Sequence, residues 1–177
     1  VPHQFDMLVA WACNAPMSVA NGEIIAKVLN TPFTVVFELF SNELAEGFAD
    51  ILLPDVSPME NSAWDTYAPF FAQPFGMDPW TYHISQPVVA RQGQRRSDIE
   101  IAWEIIDRLG KRATLNEQLN KQYALREENK LKPTDRLSLE QVGDRVHRQC
   151  FGPERGWEWF KAQGFVTWPK QVEEVYW

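Results

Sequence analysis

Apolar residues come in short β-branched runs near the start of the chain and at helical spacing further on. Phe5-Asp6-Met7-Leu8-Val9-Ala10-Trp11 is mostly apolar and predicts a first strand. Residues 12–17 predict a loop, extended ahead of Pro16 because proline disfavours helix in the residue before it. Ser18 is a capping residue. From there the apolar positions Ile24, Ile25, Val28 and Leu29 fit one helical face, and Asn30-Thr31-Pro32 ends it. A second run, Phe33-Thr34-Val35-Val36-Phe37, stops at Glu38. A short polar and acidic segment, helix or loop, leads to Ile51-Leu52-Leu53, which stops at Pro54. Buried runs that end abruptly in polar or turn residues point to a parallel sheet whose carboxyl edge carries a site. Right-handed crossovers are the economical way to join its strands.

Beyond Pro54 the periodicity is lost. Residues 54–94 are rich in Pro, Gly and aromatics, including Trp64, Tyr67, Phe70, Phe71, Phe75, Trp80 and Tyr82, and predict one long ordered loop. Order returns at Ser97, which with Glu100 forms a capping box. Ile99, Ala102, Trp103, Ile106 and Leu109 make the apolar face of the helix that follows, and Gly110 stops it. Thr114 with Glu117 starts a charged helix to about Glu128. Ser138 with Gln141 starts another, with Leu139, Val142 and Val146 on one side. Gly152-Pro153 opens a third, with Trp157 and Phe160 inward and Gly164 at its end, before a short strand over 165–169.

Composition narrows the class. The chain has 177 residues, 45% of them hydrophobic and 23% charged, as in a globular protein with a substantial core. A net charge of −7 argues against a nucleic-acid partner, which selects a basic face. No apolar run is long enough to span a bilayer, and the start has no basic region followed by an apolar one. The chain starts at Val1 and ends in the strand-like Val175-Tyr176-Trp177, so both ends read as cuts through a longer protein, with ordinary processing as the alternative. Cys13 and Cys150 belong to no CxxC pair, so the chain itself offers no zinc or iron–sulfur pattern; a disulfide between them has no positive support, and the compartment stays open.

The ordered series of strand, Asn14-Ala15-Pro16, helix, residues 33–38, Ala49-Asp50-Ile51-Leu52-Leu53-Pro54 and then Glu60 resembles the molybdopterin oxidoreductases of the dimethyl sulfoxide reductase superfamily. Gln86-Pro87-Val88-Val89, Ser97-Asp98 and the helix to Leu109-Gly110 are similar as well, so the resemblance spans about residues 5–110. Three features depart from the family's usual text. Ala15 separates Asn14 from Pro16, Glu38 stands where Asp is common, and Asn61 follows Glu60 where a charged residue is common.

The resemblance implies a three-layer α/β domain with a mostly parallel, Rossmann-like sheet over residues 1–110, and a helical, aromatic-rich extension over 111–177. It implies that the first domain holds the guanine-nucleotide end of one molybdopterin guanine dinucleotide. Molybdenum or tungsten is carried by two such pterins, and any iron–sulfur cluster lies in an N-terminal region outside this chain. The chain is then a cofactor-holding piece of an oxidoreductase, inactive alone. Its partners are the remaining domains of the same catalytic subunit and an iron–sulfur electron-transfer subunit. Oxygen-atom transfer is the common reaction of the family, and a minority carries out non-redox hydration or hydroxyl transfer. The alternative is a non-catalytic α/β binding or protein-interaction module.

Each candidate residue has a plainer reading beside it. Asn14 follows the first strand at the edge where α/β sheets bind ligands, with helix N–H groups near Ser18 to receive phosphate; alternatively it suits a turn. Cys13, beside it, also reads as a small buried filler. Glu38, with the Phe37 backbone, is placed to accept from ribose hydroxyls or guanine N–H groups; otherwise it is a solvated carboxylate. No GxGxxG fingerprint is present. Glu60 and Asn61 lie in the loop beyond the third strand's carboxyl end, placed to approach the ligand. Asp98 is a favourable helix-start charge, and the resemblance adds a guanine or ribose contact. Asp50 reads as structural, at the opposite edge. His83 is the one histidine near a substrate channel on this reading, with loop packing as the alternative. Arg91, Arg95 and Arg96 meet either phosphate or a neighbouring domain.

Overall fold

In the computed structural model, residues 5–30, 32–64 and 79–174 are described. The chain is mixed α/β, with a three-stranded parallel sheet and several helices. It divides into two units, residues 1–57 with 90–101 and residues 58–89 with 102–177.

The first unit contains β1 (Met7–Trp11), α1 (Ala15–Ser18), α2 (Gly22–Leu29), β2 (Phe33–Glu38), α3 (Glu43–Phe48) and β3 (Ile51–Pro54). The sheet order is β1-β2-β3, all parallel, with Val9 opposite Val35 and Val35 opposite Ile51. One face buries Ala10 and Val36 with Leu29, Leu44 and Ala45, which come from β1, β2, α2 and α3. The loop expected over residues 12–17 is partly helical, and of the helix or loop expected ahead of Ile51 it is the helix, α3, that forms. Ala15 to Ser18 form one turn, since proline is tolerated in a first helical turn. Ser18 therefore closes α1, its hydroxyl donating back to the Asn14 carbonyl at 2.8 Å, and does not cap α2. Asn21, in left-handed backbone at φ 66°, caps α2.

The second unit holds β4 (Ala63–Trp64), β5 (Trp80–Ser85), most of α4 (Asp98–Arg108), α5 (Arg112–Gln122), α6 (Leu139–Phe151), α7 (Trp157–Gln163) and β6 (Phe165–Trp168). Its sheet is antiparallel, ordered β4-β5-β6. The long loop expected over 54–94 is thus corrected. It contains a 3-10 turn (Pro58–Glu60) and two strands, and Tyr82 and Ile84 of β5 are buried in the core. Tyr67, Phe70, Phe71 and Phe75 lie outside the described residues.

The capping box expected at Ser97 forms. The Ser97 N–H donates to Glu100 and the Glu100 N–H to Ser97 Oγ. Ser138 and Gln141 do the same at α6. On α4, Ile99, Trp103 and Ile106 are partly buried, whereas Ala102 and Leu109 are exposed. The helix expected from Thr114 to Glu128 runs from Arg112 to Gln122. Its start is shifted because Arg112, buried against Asp107 and over the Trp103 ring, belongs to the first turn. The helix expected from Gly152-Pro153 starts at Trp157, because its first N–H is taken by Asp144 at 2.7 Å.

Candidate functional site

Three strand ends line up at the carboxyl edge of the parallel sheet, and each is followed by a polar group. After β1 the chain turns at Ala12, φ 46°, whose N–H donates to the Phe37 carbonyl at 3.2 Å. The turn brings the Cys13 N–H to Glu38 Oε1 at 2.8 Å, tying the end of β1 to the end of β2. Asn14 then starts α1, its carbonyl accepting from Met17 and Ser18 N–H. Its side-chain N–H donates to Glu43 Oε2 at 2.6 Å, and this bond holds the Glu43 carboxyl below its ordinary range. Asn14 Oδ1 is buried and has no hydrogen-bond partner among the described residues.

Past β3 the buried Asp55 accepts from the Trp11 indole N–H at 2.6 Å and from the Val56 N–H at 2.8 Å. Trp11, Phe37 and Leu53 are in register across the three strands, so the indole lies over the same face toward Asp55. Asp98 opens α4. Its burial pushes the carboxyl above the usual range; the Ile99 N–H opposes this and the nearby Asp55 charge adds to it. Behind it, burial disfavours the Glu100 charge, but the Arg91 hydrogen bond, the Ser97 N–H and the Arg91 and Arg96 charges outweigh that and lower its pKa.

Five of the six expected site residues, Cys13, Asn14, Phe37, Glu38 and Asp98, thus belong to the first unit, whereas Asn61 belongs to the second, just past the Pro58–Glu60 turn. Cys13 and Glu38 are joined through a backbone N–H. The Cys13 side chain packs against the first core. Phe37 is buried, and its carbonyl already accepts from Ala12. The phosphate-receiving helix expected near Ser18 is replaced by the single turn of α1, which Ser18 ends. At the opposite edge Asp50 accepts the Thr34 N–H at 2.7 Å and donates its own N–H to the Thr34 carbonyl, a structural role. His83 is exposed on β5. Cys13 and Cys150 are free thiols.

Sequence reasoning missed Asp55 and Glu43. The signal for Asp55 was present, since it follows a strand end as Glu38 does. Glu43 was legible only as the first residue after the Asn42 cap, whose Oδ1 accepts from Ala45 N–H.

Glu38, Glu43, Asp55 and Asp98 give this edge carboxylate acceptors, and Asn14 adds an unsatisfied carbonyl oxygen. The arrangement accepts hydrogen bonds from ligand hydroxyl and N–H groups; it offers little to a bare anion. Among the described residues no group of three or more His, Cys, Asp or Glu is placed to hold a metal ion, and no helix is long and apolar enough to cross a membrane. No family model matches the sequence, and no curated protein is significantly similar to it.

Proposed function

We propose that this chain holds the guanine-nucleotide end of a molybdopterin guanine dinucleotide, as part of a molybdenum or tungsten oxidoreductase of the dimethyl sulfoxide reductase superfamily. The reading extends the observed α/β fold to a three-layer, Rossmann-like domain. One observation carries it: a parallel β1-β2-β3 sheet with Asn14 and Glu38 on adjoining strand ends, drawn together by the Cys13 N–H bond. In open parallel sheets ligands bind at the carboxyl ends of the strands.

The residues fit a guanosine. Guanine presents N1–H and N2–H₂ donors and ribose presents hydroxyl donors, which match carboxylate acceptors. Glu38 has one oxygen committed to Cys13 and a second with no described bond. Asn14 Oδ1 is a buried acceptor that the fold leaves unsatisfied, at a cost of about 1–3 kcal/mol that a ligand donor would offset. Asp98 is the third acceptor. When bound, the cofactor supplies the redox chemistry of its metal, and this chain supplies binding and orientation. The chain is inactive alone. Its partners are the other domains of the catalytic subunit and an iron–sulfur electron-transfer subunit.

Titrating the chain with GDP while recording amide NMR spectra tests the reading. Shifts are expected at Asn14, Glu38 and Asp98. Glu38→Gln should weaken binding by about 10- to 100-fold, the worth of a charged hydrogen bond. Silence at millimolar GDP, or equal binding by Glu38→Gln, refutes it. In the parent protein, absence of both pterin and molybdenum or tungsten does the same.

A further inference from the structure

Among the described residues the first sheet ends on an open strand, β1. In the parallel ladder, Asp6 and Ala12 bond to β2 through Phe33 N–H and the Phe37 carbonyl. By alternation the N–H and C=O groups of Leu8 and Ala10 also face β2. Those of Met7, Val9 and Trp11 face away from it, toward the free edge. β1 itself contains no proline, lysine or bulge, the usual protections of such an edge. Its side chains are unprotected too. Met7, Val9 and Trp11 are 56, 55 and 53% exposed, more than half in each case, although all three are apolar. A groove of about 620 Å³ runs along the strand between these residues and Ile25, Val28 and Leu29 of α2. Its lining carries no charged side chain.

We propose that two copies of the chain join through β1, pairing antiparallel about a two-fold axis at Val9. Unpaired main-chain groups along the groove identify the occupant as an extended strand, and an uncharged lining calls for an uncharged one. β1 itself meets both conditions. Pairing about Val9 sets Val9 opposite Val9, Met7 opposite Trp11 and Leu8 opposite Ala10 of the second copy. The main-chain N–H and C=O groups of Met7, Val9 and Trp11 all face the free edge, so each opposed pair exchanges two N–H···O bonds, about six in all. Asp6, the one charge beside the strand, meets Ala12 of the other copy, so no like charges oppose one another.

The area is of the right order. Phe5, Met7, Val9, Trp11 and Val28 expose on the order of 500 Å² of apolar side chain before backbone is counted, against about 800 Å² per partner in a standard stable interface. An isologous contact of this kind closes on itself and yields one six-stranded sheet, not a filament. The two β1 carboxyl ends then point in opposite directions, so the two Asn14–Glu38 sites lie at opposite edges and both stay open. The inference does not rest on the cofactor reading.

Sedimentation equilibrium of the chain between roughly 1 and 200 µM is the first test. A species of about twice 20.5 kDa is expected. Val9→Lys, at a position that is already exposed, brings two ammonium groups together at the axis and should weaken association roughly tenfold or more. Far-UV circular dichroism checks that this variant folds. Cross-linking provides a second, independent arm in a Cys13→Ser/Cys150→Ser background. Val9→Cys places two thiols on Cα atoms about 5.5 Å apart, within disulfide range, and should cross-link on mild oxidation. Met7→Cys mates lie roughly 13 Å apart along the strands and should not. A monomer at the highest concentration overturns the proposal, as does undiminished association of Val9→Lys. So does cross-linking of Met7→Cys as readily as Val9→Cys, which would mean that the edge takes a different register or partner.

Discussion

Acid should weaken the second unit through His147. The imidazole is fully buried in α6, accepts or donates a 2.7 Å bond with the Tyr82 hydroxyl, and stacks at 4° on Trp157 with centroids 5.6 Å apart. Burial lowers its pKa from 6.5 to about 4, against the opposing pull of Asp144. The folded value lies below the unfolded one, so the unfolded chain binds more protons between those limits. Stability from neutral His147 is complete above pH 6.5, declines as pH falls toward 4, and changes no further below that. The shift corresponds to about 3 kcal/mol at roughly 1.4 kcal/mol per unit.

Urea unfolding followed by tryptophan fluorescence at pH 7, 6, 5 and 4.5 gives the slope. Removing both partners at once, Tyr82→Phe with His147→Leu, eliminates the titration and leaves neither member of their hydrogen bond behind. Asp144 is held below the ordinary carboxylate range. Burial opposes this, but the Arg148 bond, the Trp157 N–H and the charges of Arg148 and His147 outweigh it, so it contributes little in this window. The double variant should lose less stability than the unsubstituted chain between pH 6.5 and 4. Equal losses in the two proteins would refute the assignment.

Two further substitutions probe the same unit. Gly156→Ala should destabilise by about 2–3 kcal/mol in thermal or urea unfolding, because a Cβ there would lie 2.1 Å from Asp144 Oδ1 and 2.5 Å from the Arg148 guanidinium, displacing the cap on Trp157 N–H. Asn116→Ala should cost about 2–3 kcal/mol by the same measurement. Its buried amide donates to the Lys132 carbonyl at 2.7 Å and the Asp135 carbonyl at 2.9 Å, both of which lose a partner.

Local signals in the sequence proved reliable where they were self-contained. The apolar runs of β1, β2 and β3 and the two Ser–Glu and Ser–Gln capping boxes each need only a few adjacent residues, and each formed. Elements whose ends depend on distant groups were misplaced. The start of α7 is set by Asp144, and that of α5 by Asp107 and Trp103, neither visible as a local pattern. β5 carried its own signal in the alternation of buried Tyr82 and Ile84 with His83 and Ser85. Pro79, Pro87 and the surrounding aromatics masked it. The Tyr82–His147 pair brings together residues far apart in the chain, so no spacing rule reaches it. At the site, strand-end logic found Glu38 and passed over Asp55, the same kind of position one strand later.

The two sheets impose different schedules on folding. β1, β2 and β3 pair only with their neighbours in sequence, so the parallel sheet is complete once residue 54 is available. β5 can pair with β4 early, but its other edge has to wait for β6, since residues 80–83 pair with 165–168. Closing so long a loop is slow, because its entropy is lost before the contacts form. During synthesis the first sheet can therefore assemble while Tyr82 and Ile84 still lack their core. The second unit should dominate the slow phase of refolding and the population of partly folded, aggregation-prone chains.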